Sequence, residues 1–347
     1  MIYIILVLSI VLLGVSARKS SGFLDMDSTN AIRGFAMVII FLHHIMNRVG
    51  YLPYLQVLAS SGYICTGIFF FLSGYGNLLS LKRQTVLEAK WLKKRLVPLY
   101  SVFFVFYVIR SIGFVILNNM GLYSFNVTFL KIIKELCTLT TPDGINWFPK
   151  IIFISFILYY LIYKYIKNDN VKLLVLFLII SAYIVGGYVC HLPTYWYNSV
   201  FCFFVGAFVG KYKETISKYI SETPTVNKIL LFVVNMILFC VSFLLLRGRT
   251  IFQIIPCVLA SLLCVTTLNV VNFKTKLLSY VGKNSFEFYI THVSMLAILY
   301  AFSTDTNVLT ISLFVVSVLL VWAYLFFKNM VIMKRHNDFQ SKRIVNQ

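Results

Sequence analysis

The stretch Asn30-Ala-Ile-Arg-Gly-Phe-Ala-Met-Val-Ile-Ile-Phe-Leu-His-His-Ile45 carries an arginine at the start of an apolar run and a histidine deep inside it. Read as an α-helix, the eleven positions from Arg33 to His44 turn through about 1100°. That leaves the two side chains about 20° apart around the axis and about 16 Å apart along it. Ionisable side chains inside a membrane span are costly and tend to mark a site. A snorkelling arginine and a packing histidine are the plain alternatives, and neither explains why both residues share one face. His43 is turned about 80° from that stripe and is the weaker candidate.

The rest of the chain has the same character. Of its 347 residues, 60% are hydrophobic and only 12% charged, against about a quarter charged in soluble domains. With a mean hydropathy of +0.86, this composition describes a polytopic membrane protein. Apolar runs fall at 33–50, 59–80, 96–117, 147–163, 172–189, 197–210, 229–246, 250–271, 285–302 and 307–327, after a first run at 1–17. The expected fold is all-α, a transmembrane helix bundle of about 10–11 spans, with the run at 197–210 short for a crossing. The first run has its charges, Arg18 and Lys19, behind it. That is the reverse of a secretory signal and reads as a retained helix with its N-terminus outside.

A net charge of +20 could suggest nucleic acid, but the basic residues cluster between apolar runs, as cytoplasmic loops do. If residues 18–32 are cytoplasmic, 23 of the 31 basic residues fall inside, and the C-terminus is cytoplasmic too. Five cysteines (Cys65, Cys202, Cys240, Cys257 and Cys264) lie in apolar runs, where cysteine behaves as a small hydrophobe. Cys137 and Cys190 fall outside and leave a disulfide open. Neither the cysteines nor the histidines have metal-ligand spacing, and no metal site is expected.

Other polar groups fall in the spans. His292 closes Val281-Gly-Lys-Asn-Ser-Phe-Glu-Phe-Tyr-Ile-Thr-His292, with Ser285 seven and Tyr289 three positions earlier on nearly the same face. Phe69-Phe-Phe-Leu-Ser-Gly-Tyr75 places Ser73 and Gly74 in an aromatic span. For Gly74, close helix packing is the favoured reading. Arg110 lies well inside its run, and Glu287 is the one clear intramembrane acid. The segment 88–95 is a basic approach to a helix opening at Leu96, with Pro98 in its first turn. Lys94 reads as an ordinary cytoplasmic-side residue, and Arg95 as a candidate ligand. Arg33, Ser73, Arg95 and His292 map to the cytoplasmic half with His44 above them, an arrangement suited to an anionic donor entering from the cytoplasm.

These motifs resemble the acyltransferase-3 family of integral membrane O-acyltransferases. Arg33-Gly34 with His44 eleven positions on, Phe-Phe-x-x-Ser-Gly-Tyr at 69–75, Arg95 with Pro98 and Tyr100, and Gly282 with Ser285, Tyr289 and His292 occur in the family's order. The glycine-bearing stretch 203–212 is also similar, and the resemblance covers about 27–330. Two departures stand out: Ile145-Asn146 replace a His-Leu pair ahead of Trp147-Phe148, and the run at 1–17 adds a helix to a usual ten. The implied division is an extra helix and linker at 1–26, an acyltransferase domain at 27–330 and a basic cytoplasmic tail at 331–347.

The resemblance implies transfer of an acyl group, often acetyl from acetyl-CoA, to a hydroxyl of an envelope or capsular polysaccharide or its lipid-linked precursor, in a bacterial inner membrane. No permanently bound cofactor is implied; the partners are the bilayer, the acyl-CoA donor and a glycan or lipid-linked sugar acceptor. His44, Arg33 and His292 are the catalytic candidates. Arg95, Ser73, Ser285 and Tyr289 are the donor- and substrate-binding candidates. A transporter or flippase of lipid-linked sugars is the alternative, which would favour an internal repeat that the sequence lacks.

Overall fold

The structure is a computed structural model describing residues 23–49, 56–84, 88–124, 128–141, 147–268, 270 and 275–345. The expected helix at 1–17 and the pair Ile145-Asn146 lie outside them. The described residues hold fourteen α-helices and no strand. One is the single turn Gln56–Ala59. The others are α1 (Met26–Val49), α2 (Gly62–Lys82), α3 (Ala89–Asn119), α4 (Phe129–Cys137), α5 (Trp147–Tyr165), α6 (Asp169–Val189), α7 (Phe201–Lys211), α8 (Lys213–Glu222), α9 (Thr225–Leu246), α10 (Ile254–Leu268), α11 (Lys276–Lys283), α12 (Ser285–Tyr300) and α13 (Thr306–Val345).

Eight of these helices are long and apolar enough to cross a membrane. The runs expected at 197–210 and 285–302 form the shorter α7, of 11 residues, and α12, of 16. Both are largely enclosed by their neighbours, and α12 buries every residue from Glu287 to Leu296. By contrast, α9 buries only Asn235 and Phe243 and turns long apolar side chains outward, as a lipid-facing helix does.

Two helices begin earlier than their apolar runs, each for a local reason. Asp25 accepts a hydrogen bond from the Ser28 amide (2.7 Å), satisfying one of the free donors of a helix start, so α1 opens at Met26. The basic segment before Leu96 is itself helical, so Pro98 lies ten residues into α3 rather than in its first turn. There the missing proline N–H deprives the Lys94 carbonyl of its in-helix donor.

The charge-based orientation has a structural counterpart. Lys82 at the end of α2 donates to the Lys211 carbonyl at the end of α7 (3.3 Å), and Lys211 donates to Asn170 at the start of α6. Three loops assigned to one side by their lysines thus meet at one end of the bundle, the basic end.

Close backbone crossings set the centre. Glycines Gly74 and Gly206 let α2 and α7 approach until a β-carbon on either would strike the other's main chain, which is the packing role expected of Gly74. The same holds where α1 crosses α11: a β-carbon on Gly34 would overlap the Leu278 carbonyl, and one on Gly282 would overlap that of Asn30. Overpacking of this kind costs about 1–3 kcal/mol or more when backbone must shift. Gly34→Val is therefore expected to lower the thermal transition of the detergent-solubilised protein and its folded yield by fluorescence size exclusion. An unaltered transition would show that the crossing is looser than described.

Candidate active site

The α1–α11 crossing has a consequence for chemistry. It brings Arg33, one residue before Gly34, beside Gly282, Lys283 and Ser285 at the α11–α12 junction. These residues, with Ser73, Gly76 and Asn77 of α2, Lys94, Arg95, Pro98 and Leu99 of α3, and Phe148, Ile152 and Phe156 of α5, line a cavity of about 360 Å³. Its walls carry four cationic side chains (Arg33, Lys94, Arg95 and Lys283) against the one carboxylate of Glu287. That carboxylate is partnered by Lys328 of α13 at 3.7 Å, which reduces its repulsion of an anion.

The polar groups are positioned by their neighbours. Asn30 Oδ1 accepts from Arg33 Nη1 (3.3 Å). Arg95 lies over the Trp91 ring at 5.5 Å. Trp91 donates its indole N–H to Ser80 Oγ (3.0 Å) and stacks on Tyr160, fixing the start of α3 to α2 and α5. Asn77 is 2% exposed, and its Nδ2 makes no hydrogen bond among the described residues. Buried donors of this kind are normally satisfied, so it is a group suited to a ligand carbonyl or phosphate.

Both histidines lie outside the cavity lining. His44 and His292 face each other with ring centroids 5.2 Å apart. Tyr289 stands between them and the cavity: it lines the cavity and meets His292 edge-on at 5.6 Å. His44 is five residues from Val49, the last residue of α1, and eighteen from Met26. It is thus nearer the end opposite the basic one than its place in the apolar run suggests. The shared stripe of Arg33 and His44 therefore has only its Arg33 end in the cavity.

The two imidazoles differ. His292 is 1% exposed; its Nδ1 bonds the Phe288 carbonyl (2.9 Å), while its Nε2 has no hydrogen-bond partner among the described residues. A carbonyl partner requires Nδ1 to carry the proton, which leaves a lone pair on Nε2. His44 is half-buried, so it is the more accessible ring. His43 serves the scaffold, bonding the Leu58 carbonyl (3.3 Å) and Asn47.

A second cleft, of about 240 Å³, lies between α1, α11, α12 and α13 and is lined by residues such as Met37, Phe41, Phe288 and Phe314. It has no charged lining residue and does not suit a phosphate-bearing donor. Arg110 is elsewhere. It is fully buried in the half of α3 away from the basic end, over the Phe114 ring (5.5 Å). Glu135 of α4 accepts from Tyr107 (2.7 Å). That bond ties α4 to α3, and Arg110 stands apart from the cavity. Cys137 and Cys190 are exposed free thiols, and among the described residues no group of three potential ligands could hold a metal ion.

Comparison with known families settles the class. The acyltransferase-3 model, described as an acyltransferase domain, matches residues 26–327. The chain belongs to this family. It is a membrane acyltransferase built on a polytopic helical bundle, and the match takes in every residue that lines the cavity. No curated protein and no solved structure matches the chain. Asn77, Lys283 and Phe148 are among the cavity residues of this acyltransferase to which sequence reasoning gave no role, and Lys94 was read as an ordinary loop lysine. Only the family-type motifs around Arg33, Ser73, Arg95 and Ser285 pointed to their neighbourhood.

Proposed function

We propose that the protein is an O-acyltransferase that takes an acetyl group from acetyl-CoA at the basic end and delivers it to a hydroxyl of an envelope glycan or its lipid-linked precursor. The observation that carries this reading is the four-cation cavity beside the His44–His292 pair. Arg33, Arg95, Lys94 and Lys283 suit the phosphates of CoA, where charge-assisted hydrogen bonds are short and strong. The orphan amide of Asn77 suits a carbonyl of the pantetheine arm. Ser73, Ser285 and the Tyr289 hydroxyl complete the polar lining.

His44 acts as the base. It removes the proton of the acceptor hydroxyl, whose oxygen then attacks the thioester carbonyl. The new C–O bond forms as the C–S bond breaks, and the proton passes from the imidazole to the departing thiolate. His292, held by Phe288, positions His44. The basic end faces the cytoplasm, where the donor is found, and the C-terminal tail lies on the same side, in a bacterial inner membrane.

The test uses inverted membrane vesicles containing the protein and radiolabelled acetyl-CoA. Label is expected in envelope glycan or lipid-linked sugar from wild-type vesicles only. Sugar movement across the vesicle membrane without donor, and no label transfer, would instead identify a transporter.

A further inference from the structure

The deep end of the cavity is closed by aromatic rings. Phe148 is at the centre, with ring centroids 5.1 Å from Tyr289, 5.3 Å from Phe70 and 6.2 Å from Phe69. Phe148, Tyr289 and Phe69 are each no more than 8% exposed, and Phe70 is fully buried. Beyond Tyr289 comes His292. Interiors packed in this way resist insertion of extra methylene groups.

The floor of the cavity is regular. Phe148, Ile152 and Phe156 are spaced four apart on α5, so they share one face and follow one another at about 6 Å intervals along the axis. All three line the cavity, and the next residue in the series, Tyr160, stacks on the Trp91 that carries Arg95. The stripe therefore runs from the cationic mouth to the aromatic wall as a series of apolar steps, with Phe148 the last.

We infer that Phe148 sets the acyl chain length: the wall centred on it admits the two-carbon acyl group and stops chains of four carbons or more. The inference rests on the proposed binding of an acyl-CoA in this cavity. With the phosphates held by Arg33 and Arg95, the thioester faces the wall, and each added methylene must displace a ring that is already packed on its neighbours. One methylene in a tight apolar pocket changes specificity by about 10- to 200-fold.

The experiment compares acetyl-, butanoyl- and hexanoyl-CoA as donors for purified wild type, Phe148→Ala, Phe148→Leu and Ile152→Phe. Rates are expressed per folded protein, and all four proteins are also assayed for CoA binding. Wild type is expected to prefer acetyl-CoA over butanoyl-CoA by at least tenfold. Phe148→Ala is expected to raise the hexanoyl-to-acetyl ratio of kcat/KM by at least tenfold, with Phe148→Leu intermediate. Ile152→Phe, one step nearer the mouth, is expected to lower the butanoyl-to-acetyl ratio further. Should Phe148→Ala fail to fold, the Leu and Ile152 variants still move the ratio in opposite directions. Chain-length ratios equal to wild type in folded variants that bind CoA overturn the inference and leave the donor site standing. Absence of CoA binding and acyl transfer in wild type overturns both.

Discussion

His44→Ala is expected to lower acyl transfer by about 100- to 10,000-fold, the range for loss of a positioned general base. Folding should survive, because the His44 ring is half-buried and makes its contacts through the neighbouring rings of His43 and His292. The readout is label transfer in vesicles, normalised to folded protein. Transfer within threefold of wild type would remove His44 from the mechanism. His292→Ala is expected to cost less, because its Nδ1 is already committed to the Phe288 carbonyl. Its loss should reach the reaction through the seating of His44, and a bell-shaped pH profile should then keep its form while its height falls.

Arg33→Ala is expected to lower kcat/KM for the acyl-CoA donor by about 100-fold. That is the scale of losing a charged hydrogen-bonding group from a partly buried anion site. The change should lie in KM, since Arg33 is held at the cationic mouth and separated from the histidines by Tyr289. Arg33→Lys should restore only part of the loss, because an ammonium cannot reproduce the bidentate guanidinium fork. Direct calorimetry with CoA separates the cases: unchanged affinity in Arg33→Ala would mean that the donor phosphates bind elsewhere.

Much of this architecture was legible because membranes make polar residues conspicuous. Arg33, Ser73, Arg95, Ser285 and Tyr289 stood out against apolar runs, and the fold gathers all five around one cavity. Helical periodicity also put Arg33 and His44 on one stripe. It could not reveal what packs across that stripe. The partition by Tyr289 and Phe148 arises from α12 and α5, more than a hundred residues away in sequence. Phe148 itself resembled any aromatic residue of a lipid-facing helix. Lys94 and Lys283 were masked by the same rule that gave the orientation, since a loop lysine near a membrane needs no further explanation.

The short helices were hidden for another reason. Helices α4, α8 and α11 span 9, 10 and 8 residues, too few for a hydropathy window tuned to crossings of about 20 residues. Their stability comes from packing rather than local propensity. For α11 that packing is the glycine-mediated crossing on α1, a contact between segments about 240 residues apart. Without α11 in place, the residues near Arg33 could not be foreseen.

The ring wall between cavity and histidines has an electrical meaning as well. A membrane protein with a cationic chamber at one end of its bundle risks becoming an anion pore. Here the cationic chamber ends at packed aromatic carbon, a layer in which an unpaired ion would be costly. On the proposed mechanism the thioester carbonyl meets the acceptor hydroxyl at this layer, so neither coenzyme nor ions need pass through it.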